Sequence, residues 1–398
     1  MKRIRKYIER ITEGILFSSS LVTSLTVLFI IIFLFREGIG LFSSKPVDKN
    51  YTIAVNSTNP INQLSSQQIK EIFNQQTKNW KTFGGRNDSI KLFTLDEVGK
   101  IYTDEQLGPD FQNLPKIVDE YIIANPGIIA FFPSNYFPTN FHGKTIHIKN
   151  IGIAEFLFGK EWFPTSEPVA EFGVLPLILG TLWVSIGAIL LALPIGLITA
   201  IYLAEVAGPR FRNFLKPVIE LLAGIPSVVY GFFGLVVLVP LIQKTFNLAV
   251  GETALAGSII LGIMALPTII TISEDAIRTT PRSLKEASLA LGATRLQTLL
   301  RVIIPYARSG ITAACILGIG RAVGETMAVL MVTGNASVMP HSFLQPVRTI
   351  PATIAAELGE SQFEGTHFKA LFALGIILFL MTMGFNFLVE LSKSRKKI

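Results

Sequence analysis

Six long apolar runs constrain this chain more than any other feature. A helix needs roughly 20 apolar residues to cross the hydrocarbon core of a bilayer. Uncharged runs of that order occupy residues 14–35, 172–204, 221–243, 253–273 and 370–389, and a sixth, 309–331, is apolar except for Arg321 and Glu325. In lipid the backbone polar groups of such a run must be satisfied within the chain, which a helix does by itself. The second run is longer than one straight crossing. Residues 172–176 are expected to lie in the interface ahead of it, and Pro194 to kink it. Half of the 398 residues are hydrophobic and 16% are charged, against roughly 25% charged in soluble domains. The expected fold is therefore an all-α polytopic membrane protein with six transmembrane helices.

Lys and Arg set the orientation. Lys2, Arg3, Arg5, Lys6 and Arg10 precede the first run. Arg210, Arg212 and Lys216 follow the second, and Arg278, Arg282, Lys285, Arg295, Arg301 and Arg308 follow the fourth. Lys393, Arg395, Lys396 and Lys397 close the chain. Six crossings put all of these on one side, so both termini are expected in the cytoplasm of a bacterial cell. The first run is too long for an ordinary signal-peptide core and is expected to be a retained helix. The net charge of +7 lies beside apolar runs and does not alternate with aromatics, which excludes a nucleic-acid partner and leaves membrane lipid.

This pattern divides the chain into residues 1–36 (amino terminus and first crossing), 37–170, 171–392 (five further crossings) and a basic tail, 393–398. Residues 37–170 are polar and long enough for a small domain outside the cytoplasm. Strands are expected at 51–56, 90–95, 127–132 and 144–148, and helices after Ser65, whose spacing to Gln68 suits a capping box, and over 114–124. The segment is thus an inserted extracytoplasmic α/β domain. Residues 153–162 are amphipathic and aromatic, as in a headgroup-level segment.

Two motifs carry chemistry. In the first, Ser283 and Glu286, then Thr294 and Gln297, have the spacing of two successive capping boxes, with Gly292 between them where a helix end favours a left-handed backbone. This predicts a cytoplasmic helix–glycine–helix hairpin within about residues 274–306. Read alone, Glu286 only marks the start of a helix. In the second, Arg321 and Glu325 stand four apart in the fifth crossing and can pair on one helix face. Such charges face a bundle interior or a water-filled path. A structural ion pair and an anion pathway are both open; an arginine fork can hold two oxygens of an oxyanion at once.

The run Glu286-Ala287-Ser288, three residues, Gly292, then Val302, Ile304 and Pro305 resembles the EAA loop of type I ABC importer permeases, with Ser288 in place of the second Ala. The resemblance implies that Glu286, Ala287, Ser288, Gly292 and Pro305 dock on an ATPase subunit and transmit its closure. Gly173, Pro176, Gly180-Thr181-Leu182, Glu220 to Gly231 with Pro226 and Tyr230, Leu266-Pro267-Thr268, Ser273-Glu274-Asp275-Ala276, Gly320-Arg321, Gly324-Glu325 and Arg348 to Glu357 extend it: over residues 170–390 the chain resembles the PstC family of phosphate ABC-importer permeases. Arg321, Glu325 and Arg348 are the candidate substrate-pathway residues, the first two from their charge within the fifth crossing. The resemblance also implies a paired PstA-like permease, a PstB-like ATPase dimer and an external PstS-like phosphate-binding protein. For Arg348, in the external loop after the charged helix, phosphate access and plain surface solvation are both open.

The insert departs from that family. Ile53-Ala-Val-Asn56, Leu64-Ser65, Ile69 to Phe73, Asn79-Trp80, Gly84-Gly85 and Asn125-Pro126-Gly127 resemble a fragment of a phosphate-binding-protein lobe, but Thr94-Leu-Asp96-Glu97 stands where a glycine–hydroxyl phosphate loop is expected. Docking or scaffolding is the expected role. His142, His147, His341 and His367 lack metal spacing, and Glu220 and Glu252 read as interface-solvated helix ends. The single Cys315 reads as packing. No Gly-x-x-x-x-Gly-Lys-Ser/Thr loop occurs, so neither an ATP site, a cofactor nor a covalent reaction is expected. A permease for another oxyanion such as molybdate or sulfate, and a membrane sensor, are the alternatives; a sensor has no need of an ATPase dock. No inverted repeat of broken helices supports a secondary transporter.

Overall fold

The computed structural model describes the backbone of residues 2–394 and the side chains of residues 11–387. The basic residues at positions 2–10 and 393–397 that oriented the chain lie outside the described side chains. Among the described residues, six helical segments are long and apolar enough to cross a membrane: Ile11–Ser43, Leu175–Val206, Ser227–Phe246, Ala254–Arg278, Arg295–Val323 and Thr366–Phe387. The chain divides into two compact units. One holds most of the first helix, residues 174–363 and the last helix; the other holds residues 39–173 and 364–370.

In the helical unit, the Leu175–Ile201 and Ala254–Arg278 helices form the packed centre. Glycines let them approach. A Cβ at Gly187 would meet Ser258, and one at Gly196 would meet Ile269. Small residues at such contacts admit close backbones where water supplies no hydrophobic drive. Ser258 Oγ donates across the contact to the Val184 carbonyl at 3.2 Å and within its own helix to Ala254 at 2.8 Å, as a hydroxyl in lipid must find a partner. Thr253 caps the Ala254–Arg278 helix, its side chain accepting from the Ala256 amide. The first helix is the opposite case: residues 11–30 are exposed all round, a surface suited to lipid. Phe33 and Phe35 further along pack edge-on against Phe372 and Phe379 of the last helix.

Several boundaries differ from the sequence expectation, most at the third crossing and at the fifth, which starts at Arg295 and not at 309. The third crossing starts at Ser227, because residues 221–223 complete the amphipathic Pro209–Ala223 helix, and Gly224 and Pro226 break the chain after it. The fifth stops at Val323 and does not reach 331. Three crossings also contain a π-helical turn, at Tyr202–Val206, Gly234–Leu238 and Leu299–Ile303.

The second unit is α/β. Its four-stranded sheet runs in the order Lys91–Phe93, Ile128–Pro133, Tyr51–Val55, Lys144–Thr145. Tyr51–Val55 lies antiparallel to Ile128–Pro133, with Ile53 opposite Phe131, and Lys91–Phe93 lies parallel to it. Alternation sorts the side chains. Ile53, Val55, Ile129 and Phe131 face a core with Ile69, Ile72 and Trp80. Ala54, Phe93, Ala130 and Phe132 face another with Leu114, Val118 and Ile122. Ser65 and Gln68 form the expected capping box. The expected 144–148 strand splits into two pairs of residues in different sheets. The 153–162 segment is helical only over Ile153–Phe158; Trp162 is fully buried and pairs with Phe172 in a short antiparallel ladder. Asp96 and Glu97 sit in the first turn of the Leu95–Ile101 helix, where acids offset the helix dipole.

One charge cluster ties this second unit together. Lys70 Nζ lies 2.5 Å from Glu161 and 2.7 Å from Glu171. Burial opposes the Lys70 charge, yet the two carboxylates hold its pKa above the usual value. The Lys70 hydrogen bond pulls Glu161 down, whereas burial pushes Glu171 up.

Candidate functional site: a hairpin and an intramembrane arginine

The hairpin forms as its local signals require, with one exception. The Arg282–Ala290 helix begins after Pro281, and no side chain caps it. Ser283 lies inside the helix, so the expected Ser283–Glu286 box is absent; the cap position falls on Pro281, two residues earlier than the box needs. Gly292 has φ +86°, and a Cβ there would meet nothing within 4 Å, so glycine is required by backbone conformation and not by space. The Thr294–Gln297 box is present in both directions, at 2.9 and 3.2 Å. Ser288 Oγ and Thr298 Oγ1 hydrogen-bond across the hairpin at 2.9 Å, which explains a hydroxyl where the family pattern has Ala. Glu286 and Ala287 are exposed, as are Leu284, Leu289, Leu291 and Leu296. Pro305 lacks an amide hydrogen, and it stands beside the π turn that ends with the Ile304 amide bonded to the Leu299 carbonyl.

Arg321 and Glu325 do not pair. The helix ends at Val323, and the Gly324 amide closes its last turn on Gly320 at 3.2 Å. Glu325 therefore leaves the face that Arg321 occupies, and its Oε1 accepts from the Ala328 amide at 3.5 Å, at the start of the Met327–Val332 helix. Arg321 is half-buried and reaches Thr268 Oγ1 with Nη1 at 3.5 Å. Among the described residues no ion pair joins Arg321 and Glu325. This arginine is thus a cation inside a crossing with one long hydroxyl contact.

Arg348 is not surface-solvated. Its side chain is 16% exposed, and Nη1 lies 2.8 Å from Glu357 Oε1, while Nε is buried and meets no hydrogen-bond partner among the described residues. The residues around it explain an earlier motif. A Cβ at Gly180 would run into the Arg348 backbone carbonyl, and Thr181 Oγ1 accepts from the Ile350 amide at 3.0 Å. Gly180→Val should displace this loop. The expected result is severalfold faster hydrogen exchange at the Ile350 amide, from which Thr181 accepts; unchanged exchange counts against the packing role. No hydrogen bond or ion pair among the described residues joins Arg321, Glu325 and Arg348.

Sequence reasoning named Glu274 only as part of a family motif and missed its partners. The residue is 1% exposed, with Arg212 Nε at 2.5 Å, Lys216 Nζ at 3.2 Å and Arg278 Nη1 at 3.8 Å. Lys216 also meets Asp275 at 3.1 Å. Arg212 and Lys216 are one turn apart on the Pro209–Ala223 helix, so this cluster fastens that helix to the end of Ala254–Arg278. The spacing of Arg212 and Lys216 was a usable signal for a shared face; their acidic partner 62 residues on was not.

Comparison with known proteins gives this arrangement its context. The chain is 42% identical over 252 residues to the probable ABC transporter permease protein YqgH of Bacillus subtilis, covering 63% of this chain and 81% of that one. It is 40% identical over 246 residues to the phosphate transport system permease protein PstC of Mesorhizobium japonicum, covering 57% and 74%. A structure of the MetNI methionine ABC transporter in inward-facing conformations aligns with 55% of this chain and 93% of that chain, at 21% identity and a TM-score of 0.41. Residues 192–398 match the family described as binding-protein-dependent transport system inner membrane component. With six apolar helices and the hairpin between the fourth and fifth of them, the chain belongs to that family of inner-membrane transport components.

Proposed function

We propose that this chain is the PstC-type permease subunit of an ATP-driven phosphate importer and lines half of its translocation pathway. The observation that carries the reading is Arg321, a cation within a crossing that no carboxylate neutralises in the described residues. A desolvated guanidinium attracts an oxyanion strongly, since charge-assisted hydrogen bonds gain in low dielectric. Glu325, close in sequence but unpaired, tempers the positive potential and favours release. Arg348, already bound to Glu357, shapes the loop near the path and contributes less net charge. The identity to phosphate permeases, 40% over 246 residues, supports phosphate as the anion.

The proposed assembly pairs this chain with a second, PstA-like permease, a cytosolic PstB-like ATPase dimer and an external PstS-like phosphate-binding protein. This subunit has no catalytic role; the ATPase hydrolyses ATP. The exposed leucines of the hairpin, with Glu286, Ala287 and Ser288, supply the docking face, and Gly292 and Pro305 set its shape. Gly292→Ala places a side chain at φ +86°, at a strain cost of about 1–2 kcal/mol. Phosphate moved per ATP hydrolysed should fall, whereas Gly292→Asn, which tolerates that conformation, should retain more. Equal ratios for both variants and the parent would contradict the hairpin's role.

The termini are proposed to be cytoplasmic and residues 37–170 extracytoplasmic, where the α/β unit, akin to part of a phosphate-binding-protein lobe, docks or scaffolds the external partner. A cysteine at exposed Lys81 should react with a membrane-impermeant thiol reagent in intact cells, and one at exposed Arg295 should not; the reverse pattern inverts the topology. The function is tested by reconstituting all four components in liposomes and measuring phosphate uptake, with sulfate and molybdate as competitors. ATP-dependent phosphate uptake insensitive to both is the expected result. Preferential uptake of molybdate or sulfate would replace phosphate as the substrate.

A further inference from the structure

We propose that Lys285 and Glu205 form an ionic strut that joins the ATPase-docking hairpin to the second crossing helix, so that hairpin motion is passed to the second crossing in addition to the fifth. The inference rests on the reading of the hairpin as the coupling element. Lys285 Nζ lies 2.5 Å from Glu205 Oε1, and both side chains are about one-fifth exposed, at 22% and 19%. Lys285 sits in the middle of the Arg282–Ala290 helix, which has no buried residue of its own. This helix therefore lacks the apolar packing that would otherwise hold it; the Ser288–Thr298 hydrogen bond attaches it to its own following arm, and the ion pair attaches it to the second crossing.

The receiving end is a π-helical turn. Glu205 lies in Tyr202–Val206, where the Ala207 amide bonds five residues back to the Tyr202 carbonyl at 2.8 Å. The hairpin's other arm runs into the π turn Leu299–Ile303. Both turns contribute to one apolar cluster: Leu203 and Ile303 pack there with Ile270 and Ile277 of the Ala254–Arg278 helix. A π turn holds one residue more than the regular helix and occurs often at functional sites. Two such turns in one cluster give a place where helix register can shift without loss of burial. The strut then pulls on one turn while the covalent chain pulls on the other. Neither a like-charge face nor a solvated lysine would do this; a direct carboxylate–ammonium contact of this length can.

The test uses Lys285→Gln, Glu205→Gln and the exchanged pair Lys285→Glu with Glu205→Lys in the full chain. Hydrogen exchange of the amides of residues 283–291 is measured on the purified subunit, which reads the strut whatever the transported anion is. Each single variant should exchange about fivefold faster, as loss of a partly exposed ion pair implies, and the exchanged pair should return to the parental rate. Unchanged exchange in the single variants, or no recovery in the exchanged pair, overturns the strut. The same variants are then assembled with the paired permease, ATPase and binding protein in liposomes. Phosphate taken up per ATP hydrolysed should fall at least threefold in the single variants and recover in the exchanged pair. Faster exchange with an unaltered ratio makes the contact structural only and overturns transmission. Failure of the parental assembly to take up phosphate counts against the functional reading alone, because the exchange measurement stands apart from it.

Discussion

Glu274→Gln should lower the stability of the helical unit by about 2–3 kcal/mol. Loss of one partner from a buried ion cluster leaves uncompensated charge and costs about 3–5 kcal/mol when every member is fully buried. Here Glu274 is 1% exposed, but Arg212, Lys216 and Arg278 are 21%, 23% and 46% exposed, so water relieves part of the cost. A glutamine keeps the volume and one carbonyl acceptor, yet it cannot balance three cations. The Pro209–Ala223 helix should loosen first, because Arg212 and Lys216 are its tie to Ala254–Arg278. The expected readouts are a lower unfolding midpoint in detergent, reduced membrane abundance and faster hydrogen exchange across residues 209–223. Glu274→Asp, with the charge kept on a shorter arm, should fall between. A midpoint for Glu274→Gln within error of the parent would show that the three cations are held by other means.

Arg321→Gln should reduce phosphate uptake by about 10- to 100-fold while the subunit still inserts and assembles. A hydrogen bond to a charged group contributes about 1.5–3 kcal/mol, and removal of the guanidinium forfeits one or two of them at the anion. Assembly should survive because, among the described residues, the Arg321 side chain hydrogen-bonds only to Thr268, at 3.5 Å, so little structure is lost with it. The structure also sharpens the double variant. Arg321 and Glu325 are separated by the helix end at Val323, so neutralising both leaves no formerly paired charge to reconcile. Arg321→Gln with Glu325→Gln should assemble and stay as inactive as Arg321→Gln alone. Glu325→Gln alone should cost little stability, since its contact to the Ala328 amide is long at 3.5 Å. Recovery of uptake in the double variant would mean that the two charges couple functionally and would remove Arg321 from the anion path.

What the sequence by itself determined is what depends on neighbours along the chain. Six apolar runs became six crossing helices because a lipid-embedded backbone must satisfy its own hydrogen bonds. Gly292 and the Thr294–Gln297 box predicted the hairpin, since a left-handed residue and a capping box act within a few residues of themselves. The strands at Tyr51–Val55, Lys91–Phe93 and Ile128–Pro133 were legible as short apolar runs, and the two-residue period of a strand then sorts their side chains between two faces. The tertiary structure decided what depends on partners far along the chain or on where a helix stops. Arg321 and Glu325 were expected to pair because four residues span one helical turn; the helix ends between them, at Val323, and only the observed backbone shows that. Ser283 was expected to cap a helix that in fact starts after Pro281. Arg348 belongs to Glu357, at the far end of the helix that follows it, whereas the matches of Lys285 to Glu205 and Glu274 to Arg212 are set by how separate helices pack. Spacing carries no record of such pairs, because the Coulomb attraction that joins them depends on distance in space and not on separation in sequence.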